Sequence, residues 1–278
     1  MSRGLVDDLG RKISLAGPPT RIVSLVPSIT ELLFALDMGA CVVGATEFCV
    51  EPAAASSLAR VGGPKTPDIA AIRRLGADLV LASAEENRKE DIEAIVKAGI
   101  AVYVAFPRTV GAGISLVRRL GALLGREEMA HVLAGRLEAQ RVAVAADAAA
   151  SGPRLRVFCP IWKDPWMTFN GDTFAHDMLA TAGGENVFAG LAKRYPVVDS
   201  EMVASRRPEL VILPSEPYRF GPGDIASVRQ LLGGGTDSRT ALRFIDGQAL
   251  TWYGPRIDWG LRLLRKELTS ARAGDVAG

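Results

Sequence analysis

The chain has 278 residues, 48% of them hydrophobic and 23% charged, with a net charge of +2. That is enough apolar material for one large domain or two ordinary lobes, yet it includes no run of about 18 uninterrupted apolar residues that would span a bilayer. The near balance of charge, without a run of Lys and Arg, leaves no electrostatic footprint for nucleic acid.

The first stretch, "MSRGLVDDLGRKISLAGPPTR", lacks the apolar centre of a secretory signal. The expected location is cytoplasmic as the sequence stands, and extracytoplasmic if a signal was removed. Cys41, Cys49 and Cys159 are an odd number without CxxC spacing. They are expected to be buried free thiols, not a disulfide framework or a zinc site.

In "RIVSLVPSITELLFALDMGACVVGA", Ile22 to Val26 reads as a strand covered on both faces. Ser28 with Glu31 reads as a capping box. Ile29, Leu32, Leu33 and Leu36 then line one helical face, Gly39 stops the helix, and Cys41 to Ala45 is the next strand. Thr66-Pro67 reads as a cap and first helical proline, with Ile69, Ile72 and Leu75 facing inward. Leu79 to Ala82 is a strand, Asp91 to Ala98 a helix, and Ala101 to Phe106 a strand. Such alternation implies a parallel α/β sheet.

From 109 to about 150 there is no strand candidate. Two helices are expected there, separated by Gly125, the second Ala-rich. At 24 residues it would run roughly 36 Å. The first pattern then restarts, with a strand at Arg156 to Cys159, a helix at Thr173 to Ala182, and a stop at Gly183-Gly184. "DIAAIRRLGADLVLASAEE" from Asp68 lies over "DSEMVASRRPELVILPSEP" from Asp199 without a gap, matching Asp78 to Glu209 and Glu85 to Glu216. A repeat of two copies is two similar lobes, not a solenoid. The expected architecture is two Rossmann-like α/β lobes with mainly parallel sheets, 1–108 and 153–278, joined by a helical linker at 109–152 that carries one long backbone helix.

"RIVSLVPSITELLFAL", "VGGPKTPDIAAIRRLGADLVLA", "AGGENVFA" and "RRPELVILPSEP" resemble the motifs of the cobalamin and ferric-siderophore substrate-binding proteins of ABC importers, closest to the cobalamin receptors. The resemblance runs in order over about residues 5 to 268. It implies a ligand held in a cleft between two lobes on a stiff helical backbone, a non-enzymatic role, and no cofactor of the protein's own. A corrinoid or ferric chelate is the implied ligand and an ABC permease the implied partner.

In open parallel sheets the ligand site lies beyond the carboxyl ends of the strands. By that rule the first lobe offers Pro27, Ser28, Glu47, Phe48, Cys49, Glu85, Glu86, Asn87, Phe106, Pro107 and Arg108. The second offers Trp162, Lys163, Trp166, Arg194, Tyr195, Glu216, Tyr218, Trp252, Tyr253 and Arg256. Trp162 and Trp166, in "CPIWKDPWMTF", read as part of an aromatic wall with Trp252, Tyr253, Phe48 and Phe106. A cobalamin is a flat macrocycle edged with neutral amides and suits aromatic walls with scattered polar groups. An anionic ferric siderophore, the alternative beside haem, favours arginines, for which Arg108, Arg194, Arg219 and Arg256 are candidates.

A directly bound metal needs converging His and carboxylate ligands. Only His131, on the long helix, and His176, read as a surface or supporting histidine with an axial ligand to cobalt or haem iron as the alternative, exist. There is no GxSxG, Walker or GxGxxG signature, and nothing in the spacing of Glu47, Glu85, Glu86 and Glu216 marks a catalytic pair, so an enzyme or sensor using those carboxylates is the weaker alternative. One departure stands out. In the receptors that the chain resembles, an acid on the second lobe, shortly before the motif seen here as Pro255-Arg256, docks onto permease arginines. Here that neighbourhood reads "LTWYGPRIDW", with no acid before the motif, which leaves intracellular carriage of a corrinoid or metal chelate open beside ABC-type uptake.

Overall fold

The computed structural model describes residues 5–15, 17–234 and 240–274. The chain termini in the expected lobes, 1–4 and 275–278, lie outside them. Contacts divide the chain into two compact units. The first comprises 1–107, 111–136 and 253–255, and the second 108–110, 137–252 and 256–278. The fold is α/β with mainly parallel sheets.

In chain order the elements of the first unit are β1 (Leu5–Val6), β2 (Lys12–Ile13), β3 (Ile22–Ser24), α1 (Pro27–Ala35), β4 (Val42–Ala45), β5 (Ala59–Arg60), β6 (Gly62–Gly63), β7 (Thr66–Pro67), α2 (Ile69–Arg74), β8 (Leu79–Ser83), α3 (Lys89–Lys97), β9 (Ala101–Ala105) and α4 (Val110–Leu124). β3, β4, β5, β8 and β9 form one parallel sheet in the order β5-β4-β3-β8-β9. β3 and β8 are buried along their whole length, which is why they read as continuous apolar runs. One core cluster under this sheet joins Val23, Leu25, Val80 and Val104 to Ile72, Ile92 and Ile95 of the helices.

α5 (Glu127–Ala150) follows, 24 residues long, as the Ala-rich composition predicts. Glu127 and Glu128 sit in its first turn, where the helix dipole favours acids. The second unit then adds β10 (Leu155–Phe158), α6 (Phe174–Thr181), β11 (Gly184–Asn186), α7 (Ser200–Ser205), β12 (Leu210–Pro214), α8 (Ile225–Leu231), β13 (Ala241–Ile245), α9 (Gln248–Thr251) and α10 (Arg256–Arg272). Its parallel sheet has the order β11-β10-β12-β13. The core beneath is built on Phe158, Phe188, Val211, Leu213 and Phe220.

The internal repeat holds residue for residue. Asp68 caps α2 by accepting the Ala71 N–H at 2.8 Å, and Asp199 caps α7 by accepting that of Met202 at 2.8 Å. Gly76 and Arg207, the matching positions after each helix, both have positive φ. The Arg21 and Arg156 guanidinium groups donate to the carbonyls of Leu75 and Arg206, also matching positions. Asp78 and Glu209 accept the backbone N–H of those same two arginines.

Two local readings are corrected. Ser28 does not cap α1. Pro27 takes the first helical position, Val26 is the cap residue, and no side-chain cap bond is made. Thr66-Pro67 does not open α2. It pairs antiparallel with Gly62-Gly63, and Asp68 supplies the cap instead. The pairing needs Gly62, whose φ is +82° and where a Cβ would stand 2.4 Å from the Thr66 carbonyl. Cys49 and Cys159 are buried free thiols and Cys41 is half-buried. No helix among the described residues is long and apolar enough to cross a membrane.

Candidate functional site

At the carboxyl ends of the first sheet, the residues picked from the sequence separate by burial. Pro27, Ser28, Asn87 and Pro107 are buried, Glu85, Glu86 and Phe106 half-buried, and Glu47 and Phe48 exposed. Asn87 is spent on the fold: its Oδ1 accepts the Ser83 N–H at 2.8 Å and its Nδ2 donates to the Pro64 carbonyl at 2.9 Å. Lys65 Nζ donates to the Glu85 carbonyl. Phe48 is 62% exposed and rests near Gly63, leaving its ring open to a partner.

Tyr253 also belongs to this unit and is only 5% exposed. Its hydroxyl lies beside those of Ser83 and Ser28, and burial pushes the phenol well above its usual range. Tyr253 is therefore packing, not an open wall. The rule of strand ends misplaced it and Trp252 because β13 closes at Ile245 and α9 intervenes before them.

At the carboxyl end of β10, the segment 159–169 folds back on itself. Ile161 N–H donates to the Met167 carbonyl at 2.8 Å, and Met167 N–H to the Trp162 carbonyl at 3.1 Å. Asp164 makes the turn at φ +60°, a conformation that Asp tolerates better than most residues. The Thr168 hydroxyl ties the segment to the Cys159 carbonyl at 2.7 Å. The two tryptophans divide their roles. Trp166 stacks parallel on the buried Phe220, with centroids 6.0 Å apart, and joins the core. Trp162 is 43% exposed and meets the Tyr218 ring edge-on at 5.9 Å.

The polar groups around them are paired. Lys163 Nζ lies 2.9 Å from Asp224 Oδ1, and the Tyr218 hydroxyl donates to the same oxygen at 3.3 Å. The ammonium holds the Asp224 carboxyl below its usual range. Asp172 is clamped by Arg108 at 2.9 Å and Arg194 at 3.5 Å, and Arg194 also lies over the Tyr195 ring. Asp224 and Asp172 were missed from sequence, since nothing in "GPGDIAS" or "NGDTF" marks a charge partner.

Glu216, half-buried at the end of β12, accepts the Thr251 hydroxyl at 2.7 Å and the Trp252 indole N–H at 3.0 Å, both on Oε1. Burial raises its pKa and these two bonds partly offset the rise. Gly247 makes this approach possible, because a Cβ there would stand 2.5 Å from Glu216 Cγ. Trp252 is 6% exposed, with the Arg256 guanidinium 4.9 Å above its ring.

His176 is half-buried in the first turn of α6, with Nδ1 3.5 Å from the Asn186 amide nitrogen. Burial lowers its pKa below 6.5. Because the folded value is depressed, the unfolded chain binds the proton more readily, and stability falls as pH drops below about 6.5. Urea midpoints at neutral and mildly acidic pH check this. The wild type is expected to lose more stability on acidification than His176→Gln, and equal losses would show that His176 does not contribute. Among the described residues, no group of three or more His, Cys, Asp or Glu side chains is placed to hold a metal ion.

Comparison with known proteins supplies the frame for these residues. A family model described as periplasmic binding protein matches residues 22–227. The vitamin B12-binding protein of Yersinia pestis (strain Pestoides F) is 28% identical over 193 residues, 69% of this chain and 69% of that protein. Among solved structures, the periplasmic heme-binding protein RhuT from Roseiflexus sp. RS-1 is 25% identical, with a TM-score of 0.79, covering 92% of this chain and 99% of the other. The periplasmic vitamin B12 binding protein BtuF of Vibrio cholerae shares the fold at 21% identity, with a TM-score of 0.78, over 92% of this chain and 98% of the other. With a family match running from the first strand of one sheet past the last-but-one strand of the other, the chain belongs to the periplasmic binding protein family.

Proposed function

We propose that the chain is a non-enzymatic receptor for a flat, electrically neutral metal chelate of the corrinoid type, serving ABC-type uptake. The observation that carries this reading is the state of the cations that the sequence nominated at the strand ends. Lys163 is held by Asp224, Arg108 and Arg194 by Asp172, and Arg256 lies over Trp252 and Trp259. Of the nominated cations Arg108, Lys163, Arg194, Arg219 and Arg256, Arg219 alone lies outside these arrangements among the described residues. An anionic siderophore, or a haem with its carboxylates, calls for uncommitted arginines. A neutral, amide-edged macrocycle needs open aromatic surface instead, and Trp162 offers it on the second unit. The vitamin B12-binding relatives support the same choice.

Delivery to a permease also gains support. The sequence shows no acid before Pro255-Arg256, yet the Glu216 carboxylate reaches that neighbourhood through its bond to Thr251. We assign Glu216 as the acid that meets permease arginines on this unit. Such delivery requires the chain to work outside the cytoplasm, the second of the two locations the sequence left open.

Calorimetry of the whole protein with cyanocobalamin, haemin and an anionic ferric siderophore tests the ligand. Saturable binding of cyanocobalamin is expected, and tight binding of haemin or siderophore with none of cobalamin would overturn the reading. Glu216→Gln is expected to keep ligand affinity while reducing uptake through the reconstituted permease. Loss of ligand affinity instead would place Glu216 at the ligand.

A further inference from the structure

A cavity of about 380 Å³ lies in the second unit, away from the strand ends discussed above. Its wall is Ala145, Ala148 and Ala149 of α5, small side chains that leave the space open, and Thr181 of α6 adds a hydroxyl. Two full charges of opposite sign, Arg154 and Asp177, also line it.

Each charge is anchored to backbone and not to the other. Arg154 Nη1 donates to the carbonyls of Ala180 at 2.7 Å and Gly184 at 3.1 Å, at the end of α6. Asp177 Oδ2 accepts the Val110 N–H at 2.7 Å. Arg141 of α5 also acts on Asp177 but itself donates twice to Glu138, which leaves the far edge of the Arg154 guanidinium and Asp177 Oδ1 for another partner. Both charges act on His176 from the same neighbourhood, in opposite directions. Opposite charges that face one cavity but are held apart by their own anchors suit a ligand carrying the complementary pair. A carboxylate would pair with Arg154 and an ammonium with Asp177. The alanine wall admits a short apolar side chain and gives no polar partner to a long one.

We infer that this cavity is a second ligand site, for a small zwitterion of the α-amino-acid class. Its occupant binds independently of the chelate proposed for the strand ends.

The probes are glycine, alanine and serine, with acetate, ethylamine and sodium chloride as controls. Melting temperature and calorimetry are measured on the whole protein. The zwitterions are expected to raise the melting temperature in a concentration-dependent way, and acetate or ethylamine alone to do so far less. Asp177→Asn keeps an acceptor for the Val110 N–H but removes the charge. Ala149→Leu, at an exposed position, narrows the cavity along its alanine wall. Both variants are expected to fold, by circular dichroism, and to lose the zwitterion response while cyanocobalamin titrations stay as in the wild type. No zwitterion response in the wild type, a response matched by acetate or sodium chloride, or one that survives Ala149→Leu would each overturn the inference.

Discussion

Asp8→Ala is expected to be a strongly destabilising polar change in the first unit. The Asp8 carboxylate takes the Tyr103 hydroxyl at 2.9 Å and Arg119 at 2.8 Å on one oxygen, and the Phe106 N–H at 2.8 Å on the other. Its side chain is 9% exposed and that of Arg119 40%, so the aspartate is desolvated while the arginine keeps part of its water. Removing the acid strips Tyr103, itself 2% exposed, of a buried acceptor, while the Asp8 N–H bond to the Val104 carbonyl and the Val104 N–H bond to Asp7 still hold the edge strand to the N-terminal hairpin. Breaking a buried pair costs about 3–5 kcal/mol, and the exposure of Arg119 puts this case at about 3. Denaturant midpoints of wild type, Asp8→Ala and Asp8→Asn check the figure. A loss under about 1 kcal/mol in the alanine variant would mean that the three bonds contribute no more than ordinary surface contacts. Asp8→Asn retains an acceptor for Tyr103 and should fall between the two.

The second large effect separates the two tryptophans of "CPIWKDPWMTF". Trp162→Ala is expected to leave folding nearly unchanged and to weaken cyanocobalamin binding about tenfold or more, the loss of roughly 1.5 to 3 kcal/mol of aromatic burial. Trp166→Ala is expected to do the reverse. It removes a ring stacked on Phe220 and packed on the core, costing about 2 kcal/mol of stability, less than a fully buried Trp because Trp166 is half-buried. Calorimetry and unfolding on both variants decide it. Equal affinity for wild type and Trp162→Ala would take Trp162 off the ligand surface, and a binding loss confined to Trp166→Ala would reverse the assignment.

This division could not be read from the sequence, where both tryptophans follow the same strand. What separates them is the turn at Asp164 and the stacking partner Phe220, more than fifty residues away in the chain. The buried strands at Ile22 and Leu79, the long helix from Glu127 and the repeat from Asp68 to Asp199 were all legible, because each rests on local periodicity or capping. Thr66-Pro67 was misread because its fate depends on pairing with Gly62-Gly63. Ser28 was misread because Pro27 claimed the first helical position. Trp252 and Tyr253 were taken for strand-end residues because the short helix Gln248–Thr251 carries no strong periodicity. The charge partners Asp172 and Asp224 lie far in sequence from the cations they neutralise, and single-chain patterns do not report such pairings.

The correspondence between residues 68–83 and 199–214 has a consequence for how this protein can change. Matching caps, matching left-handed turns and matching arginine clasps give the two stretches one shared framework up to the strand ends. Beyond them Glu85 still matches Glu216, but the hydrogen bonding differs. Asn87 turns back to hold Ser83 in one half, whereas Glu216 reaches out to Thr251 and Trp252 in the other. The shared framework ends where the hydrogen bonding changes, so exchanging residues 84–88 or 215–220 is expected to retune what each half recognises while leaving the matched caps and clasps in place.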